Sequence, residues 1–448
     1  MLSVLSNRTY RHLFLAQVIA LIGTGLATVA LGLLAYQLAG GQAGTVLGTA
    51  LAIKMAAYVV IAPIVGAFAD RLPRRAFLVT TDLARAAVAL ALPFVTQTWH
   101  IYVLIFVLQS ASAAFTPTFQ ATIPDVLPEE RDYTRALSLS RLAYDMENLI
   151  SPMLAAALLT VMSFHWLFSG TVVGFVASAL LVVSVRLPQS RTSGKRPGSI
   201  YQKTFRGMSI YLRTPRLRGL LAFNLAAAAA SSMVIVNTVV YIQSKLGRPS
   251  TDVPLALAAF GTGSMLMALV LPKILSTRPD RPIMLTGAAI MAAGLAAGIG
   301  VSQLGAPYEW PAFLGLWFML GMGYSMTLTP SGRLLKRSAN EADRPAVFAA
   351  QFSLSHCCWL ITYPLAGLLG ARYGMTLTFT VLAIITAIGL LTAWKVSPSD
   401  DPEVIEHTHV NSEGLSAHLN GATDTTTHSH AYVIDENHAR WPGERDRP

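Results

Sequence analysis

The chain has 448 residues, of which 53% are hydrophobic and only 12% charged, with a mean hydropathy of +0.51. A soluble domain carries about 25% charged residues, so this balance excludes a soluble globular protein and points to the membrane class. The net charge of +10 does not signal nucleic-acid binding, because the basic residues sit in short connections between apolar stretches, and the two cysteines, Cys357 and Cys358, are neighbours that build no disulfide framework.

A membrane helix needs about 20 mostly apolar residues, since irregular backbone in lipid leaves polar groups unpaired. The first forty residues stay apolar for too long, and lack the small-residue cleavage site, to be a cleavable signal. Six spans are expected at 12–38, 43–69, 76–94, 99–122, 135–161 and 164–186, and six more at 217–243, 252–275, 281–303, 308–330, 345–370 and 374–395. The expected fold is an all-α membrane protein of twelve transmembrane helices in two six-helix bundles, residues 1–186 and 211–395. Residues 187–210, polar, basic and bearing Gly and Pro, read as a linker with a short interfacial helix near its end. Residues 396–448 read as a disordered polar tail.

The basic residues orient the spans. Arg71, Arg74 and Arg75 follow span 2; nine Lys and Arg from Arg186 to Arg218 flank the linker; Lys273, Arg278 and Arg281 follow span 8; Arg333, Lys336, Arg337 and Arg344 follow span 10. The opposite connections are nearly free of such residues, with Lys245 and Arg248 the main exception. The basic side is expected to be cytoplasmic, which puts both termini inside.

Charged groups within the spans are costly and face a protein interior or a cavity. Lys54 lies in mid-span 2. Asp82 and Arg85 lie three apart on one face of span 3, placed to pair near its cytoplasmic end. In the early half of span 5, Asp145 and Asn148 share a face and Glu147 points about 100° away. A proton-coupled carrier needs a carboxylate that is neutral in one state and charged in another; burial raises its pKa and a nearby Lys lowers it. Lys54 with Asp145 or Glu147 is the candidate coupling set, and a fixed ion pair joining spans 2 and 5 is the alternative. Gln17, Asn224 and Asn237 are further cavity candidates. His356, Cys357 and Cys358 suggest a soft-metal site, yet sequence neighbours diverge by about 100° on a helix, so packing or cavity lining is the competing role.

The halves repeat weakly. Pro117 and Pro152 are 35 residues apart in the first and Pro330 and Pro364 are 34 apart in the second. Arg131 and Arg344 precede the later prolines by 21 and 20 residues. Such matched punctuation in corresponding spans indicates a duplicated bundle, with a cavity between the copies.

Between spans 2 and 3 stands GAFADRLPRRAFLVTTDLAR, of the form G-x-x-x-D-R-x-x-R-R through Gly66, Asp70, Arg71, Arg74 and Arg75. Through these residues the chain resembles the major facilitator superfamily, and the resemblance covers residues 1 to about 395. It implies that the motif lies on the cytoplasmic side and that Asp70 joins a charge network holding the outward-facing state. Gly66 would let helices approach closely. Pro73 stands where the family usually has glycine, and proline also permits a tight turn. The span 4–5 region resembles a bacterial efflux branch that includes exporters of macrolides, siderophores and nickel.

The tail is acidic, with ten Asp and Glu against three Arg, and holds six of the chain's ten histidines: His407, His409, His418, His428, His430 and His438. Imidazole suits nickel, zinc and copper, although closing a flexible segment on one ion costs entropy. An efflux-branch carrier with a histidine-bearing C-terminus resembles the bacterial nickel-resistance exporters. HSHAYVIDENHARWP also reads as a docking element, with Tyr432, Val433, Ile434 and Trp441 set against the basic face.

The expected activity is therefore proton-coupled export of a divalent cation such as nickel across the bacterial inner membrane. Export of amphipathic drugs or siderophores is the alternative, and a non-transporting membrane sensor with a metal- or partner-binding tail is the third reading. No catalytic triad, phosphate loop or H-E-x-x-H appears, so no enzyme is expected. The expected partners are the small-molecule or metal-ion substrate, protons as coupling ion and membrane lipids. No cofactor and no nucleic acid are expected, and the protein is expected to act as a monomer.

Overall fold

A computed structural model describes residues 2–68, 73–129, 157–187, 200–275, 277–305, 307–340 and 343–398. It also describes isolated positions between 132 and 155, and residues 405–408, 427–430, 432–434, 438 and 441 of the tail. Nine described stretches are long and apolar enough to cross a membrane. Two of them, Arg8–Ile61 and Ala346–Val396, each contain two expected spans. Span 5 falls among the isolated positions, and those described there from 132 to 159 are helical. The architecture is the all-helical membrane fold that the apolar run lengths require.

Span 1 is the helix Arg8–Ala39, span 2 Ala43–Phe68, span 3 Arg74–Ala91, span 4 Thr98–Val126 and span 6 His165–Val183. The end of the linker forms a helix, Ile200–Arg213, which runs three residues past the expected linker boundary. Pro215, at the first helical position where its missing N–H costs nothing, opens span 7, Pro215–Val240. That helix widens into a π-turn, Tyr241–Lys245. Span 8 is Asp252–Leu275, span 9 Asp280–Val301 and span 10 Glu309–Leu328, which is followed by a short helix, Ser331–Arg337. Spans 11 and 12 lie in one helical stretch, Arg344–Val396, broken only at Gly374. There φ is +80°, a backbone conformation that only glycine adopts freely, so the chain reverses without a loop.

Within the N-terminal half, span 1 packs on span 6, span 2 on span 4, and span 3 on spans 4 and 6. Small residues set these distances: a Cβ on Gly174 would lie 3.3 Å from the Gly23 Cα, and the Thr171 hydroxyl donates to the Gly23 carbonyl at 2.7 Å. In the C-terminal half, span 7 packs on spans 11 and 12, and span 10 on spans 8 and 9.

The apolar cores show how the halves meet. Residues from the far end of the N-terminal half, including Leu34, Leu47 and Leu51, share one core with the C-terminal half. The end of the N-terminal half that carries the arginine-rich connections, hereafter the basic end, has its own separate core around Tyr10, Leu78, Phe119 and Val182.

The tail departs from the disorder expected of its composition. Ile405–Thr408 and Thr427–His430 pair as two antiparallel strands. Tyr432 and Ile434 are buried in the core that the two halves share. Polar composition argues against a self-contained core, but these apolar residues have a ready-made one to join.

Candidate functional site

At the basic end of the N-terminal half, Gly66 lies within the span 2 helix, while Asp70 and Arg71 lie outside the described residues. Arg74, buried in the first turn of span 3, pairs with Asp125 at the end of span 4. Arg75 donates to the Val183 carbonyl at the end of span 6. Both described arginines of the motif therefore tie spans within their own half. Asp125 is a partner the sequence reading missed. The signal for it was an acidic residue in the last turn of a helix, where the dipole disfavours negative charge unless a cation is nearby.

Deeper in this half, Asp82 is fully buried and pairs with Arg85. It also accepts a 2.7 Å hydrogen bond from the Ser178 hydroxyl of span 6. The Arg85 guanidinium lies between two rings, 4.3 Å from the centroid of Phe115 and 4.5 Å from that of Phe175. The i,i+3 pairing matches the expectation, but the depth does not. Asp82 is the ninth residue of an eighteen-residue helix, so the pair sits at mid-depth rather than near the basic end. Hydrogen bonding and two π faces make a buried pair tolerable there.

Beside this pair runs a cavity lined by Lys54, Gln109, Thr24, Thr28 and apolar side chains that include Phe175. Asp145 and Glu147, the expected partners of Lys54, and Asn148 lie outside the described residues. Gln17 accepts a 3.0 Å hydrogen bond from Ser140.

One turn beyond Lys54, Tyr58 reaches the other half. Its ring stacks on His356 at 5.5 Å and packs on Phe352 at 5.8 Å, and the His356 and Phe352 rings are 4.0 Å apart. The His356 Nδ1 lies 2.6 Å from the Phe352 carbonyl, which makes it the donor and leaves Nε2 as the acceptor. Cys358 instead donates to the Leu354 carbonyl of its own helix at 3.6 Å. Adjacency in a helix separates these side chains, and among the described residues no three His, Cys, Asp or Glu side chains converge as a metal site. Asn224 donates to the Leu220 carbonyl one turn back in its own helix.

From that cluster a seam between the halves runs to the far end. A Cβ on Gly48 would meet the Tyr363 carbonyl at 2.5 Å, and one on Gly367 would collide with the Gly44 carbonyl. The Thr45 hydroxyl donates to the Gly367 carbonyl at 3.3 Å, and Gln42 donates to the Ala371 carbonyl at 3.4 Å. Asn237 of span 7 is buried where these helices cross. Its amide donates to the Ala366 carbonyl at 3.0 Å, and its Oδ1 packs against Gly44 and Gly370. At the same end both exceptions to the charge asymmetry are paired. Lys245 meets Glu309 at 2.7 Å, and Arg248 meets Asp252 at 2.6 Å. The Tyr241 hydroxyl also donates to Glu309 at 2.7 Å.

In the tail, the strand register sets His407 opposite His428, with His430 two residues further along the second strand. His409 and His418 lie outside the described residues. His438 is buried and packs its ring on Tyr432 at 4.5 Å.

The chain matches the Major Facilitator Superfamily model over residues 13–239 and 220–423. It is 23% identical over 352 residues to an uncharacterised MFS-type transporter, YfiS, of Bacillus subtilis (strain 168), covering 75% of this chain and 80% of that one. Macrolide efflux protein A of Streptococcus pyogenes is 28% identical over 153 residues, covering 32% of this chain and 38% of that one. The fold superposes with a TM-score of 0.67 on a bacterial homologue of the human lysosomal transporter Spinster in an inward-facing, unoccupied conformation. That match has 13% identity and covers 87% of this chain and 97% of the other.

Proposed function

The chain belongs to the Major Facilitator Superfamily, and on that premise we propose that it exports amphipathic organic molecules, driven by protons. It is a multi-pass membrane transporter rather than an enzyme. The reading places it in the bacterial inner membrane as a monomer surrounded by lipid, with the basic end and both termini in the cytoplasm. The observation that carries the substrate class is the mid-depth cluster of Tyr58, Phe352 and His356, one turn from Lys54, between the halves. An apolar, aromatic wall with a few polar groups binds ring-bearing amphiphiles by burial and stacking.

In this reading the seam from Gly44 to Gly367 closes the outer side while the basic end admits cargo. Rocking then opens the seam and closes the basic end. Asp70, with Arg71, favours the state closed at the basic end, and protonation of Asp145 or Glu147 near Lys54 couples the cycle to the proton gradient. Inverted vesicles with an imposed pH gradient test the reading. Uptake of a cationic or macrolide-like fluorophore is expected, and Tyr58→Ala should reduce it. Absence of gradient-dependent uptake across a panel of amphiphiles would sink it.

A second reading is export of a divalent cation, nickel foremost. The His407–His428 pairing favours it, since imidazoles on paired strands suit such ions. Deleting residues 400–448 should then lower nickel tolerance, and unchanged tolerance to every divalent ion tested would remove this reading.

A further inference from the structure

Among the described residues, the C-terminal segment meets the transport machinery at Arg216. Arg216, in the first turn of span 7, is 4% exposed. Its guanidinium lies 4.6 Å from the centroid of the Trp441 ring. The same guanidinium donates to the Arg337 carbonyl, at the end of the short helix between spans 10 and 11, at 3.5 Å. Trp441 in turn stands edge-on to Tyr432, with ring centroids 5.3 Å apart, and Tyr432 packs on His438. Tyr432, Ile434 and His438 are 6%, 4% and 3% exposed. Three side chains of a polar tail are thus withdrawn from water, and Trp441 is partly buried beside them.

Arg216, which meets Trp441, and Arg337, which it also contacts, belong to the C-terminal half. The linker helix Ile200–Arg213 is fastened to that half as well. Arg206 pairs with Asp343 at 2.8 Å, Gly207 lies against the Ala346 carbonyl, and the buried Tyr211 hydroxyl donates to Gln351. Burial pushes the Tyr211 phenol well above its usual pKa, so it stays a neutral donor. Where span 12 ends, Ser397 packs on Gly219, one turn beyond Arg216. The chain therefore leaves span 12 beside span 7 and returns to span 7 at Trp441.

We infer that Tyr432, Ile434, His438 and Trp441 act together as a cis-acting strap, buckled by Trp441 on Arg216, which docks this part of the tail on the C-terminal half. The chemistry suits a strap that releases as a unit. A guanidinium on an indole face is attracted without either group needing a counter-charge, and it tolerates salt better than an exposed ion pair does. Tyr432 and Ile434 supply apolar burial, so loss of the buckle and loss of the packing go together. The paired strands Ile405–Thr408 and Thr427–His430 then travel with the C-terminal half rather than sweeping the membrane surface as a free tether. The strap is independent of which cargo is carried.

Hydrogen exchange on the full-length protein in lipid nanodiscs tests this. In the wild type, amides of residues 432–434 should exchange slowly. Trp441→Ala should accelerate them about tenfold, the factor that follows from removing one contact of cation–π strength. Trp441→Phe, which keeps an aromatic face, should retain most of the protection, and amides of spans 7 and 11 should be unchanged in both variants. Equal exchange in wild type and Trp441→Ala, whether both fast or both slow, overturns the strap. So does acceleration in Trp441→Phe as large as in Trp441→Ala, because the indole contact would then not be a π contact.

Discussion

The two halves handle charge in opposite ways. The N-terminal half buries an ion pair, Asp82 with Arg85, at the mid-depth of its bundle and adds Lys54 along a neighbouring cavity. The C-terminal half keeps its described pairs at its ends: Lys245–Glu309 and Arg248–Asp252 at one, Arg206–Asp343 and Arg333–Asp280 at the other. Its interior is instead aromatic and hydroxylic. Trp317 packs on Phe313 with tilted rings and donates to Thr238 at 2.8 Å, and Trp359 donates to Ser231 at 3.0 Å. Charge in a membrane interior is costly and is kept where it performs a task. Among the described residues, one half thus carries interior charge and the other supplies shape.

The sharpest way to break this contrast is Arg85→Ala. It strands a fully buried carboxylate and should cost about 3–5 kcal/mol, seen as a large fall in thermal stability and in membrane yield. Replacing both partners by apolar residues of similar size, Asp82→Leu with Arg85→Met, should recover most of that loss if the pair is structural. Stable protein without transport would instead assign the pair to the cycle.

Next in size is the seam between the halves. Gly48→Ala forces a Cβ onto the Tyr363 carbonyl and should cost about 1–3 kcal/mol in the closed arrangement alone. That shifts the open–closed balance by roughly 5- to 150-fold. Cysteine labelling from the far side reads the shift, and unchanged labelling would mean that the seam does not close the passage.

At the ends of the C-terminal half the effects should be small. Glu309→Gln keeps a hydrogen-bond acceptor for Tyr241 and should cost roughly 1 kcal/mol or less, because Lys245 is partly exposed and screened. Arg248→Ala should cost about 0.5 kcal/mol at most, being a partly exposed i,i+4 pair. Melting curves showing losses at these ends comparable to that of Arg85→Ala would erase the contrast between the halves.

The spans were legible because lipid imposes a run length, and the Asp82–Arg85 pair because i and i+3 share a helix face. What encloses that pair was not legible. Ser178, Phe115 and Phe175 come from two other spans, and no local spacing announces which helices will touch. The same holds for Tyr58, which reads as an ordinary aromatic in an apolar run until span 11 brings His356 against it. In His356-Cys357-Cys358 the sequence offered a metal-like cluster, and helical rotation dispersed it. The tail was legible in its docking residues but not in its strands. Composition argued for disorder, and the pairing of Ile405 with His430 joins positions 25 residues apart that no periodicity marks. Asp70, Asp145 and Glu147 retain only their sequence-based roles, because they lie outside the described residues.

The close glycine contacts of the seam carry a thermodynamic cost measured in water. With the halves apposed, the carbonyls of Tyr363, Gly367 and Ala371 face protein across the boundary rather than solvent. Parting the halves must hydrate that strip, so each cycle takes up and returns a fixed quantity of water along with its cargo. Osmolytes excluded from protein surfaces should therefore hold the seam shut. The slope of transport rate against osmotic pressure would count the molecules exchanged per turnover.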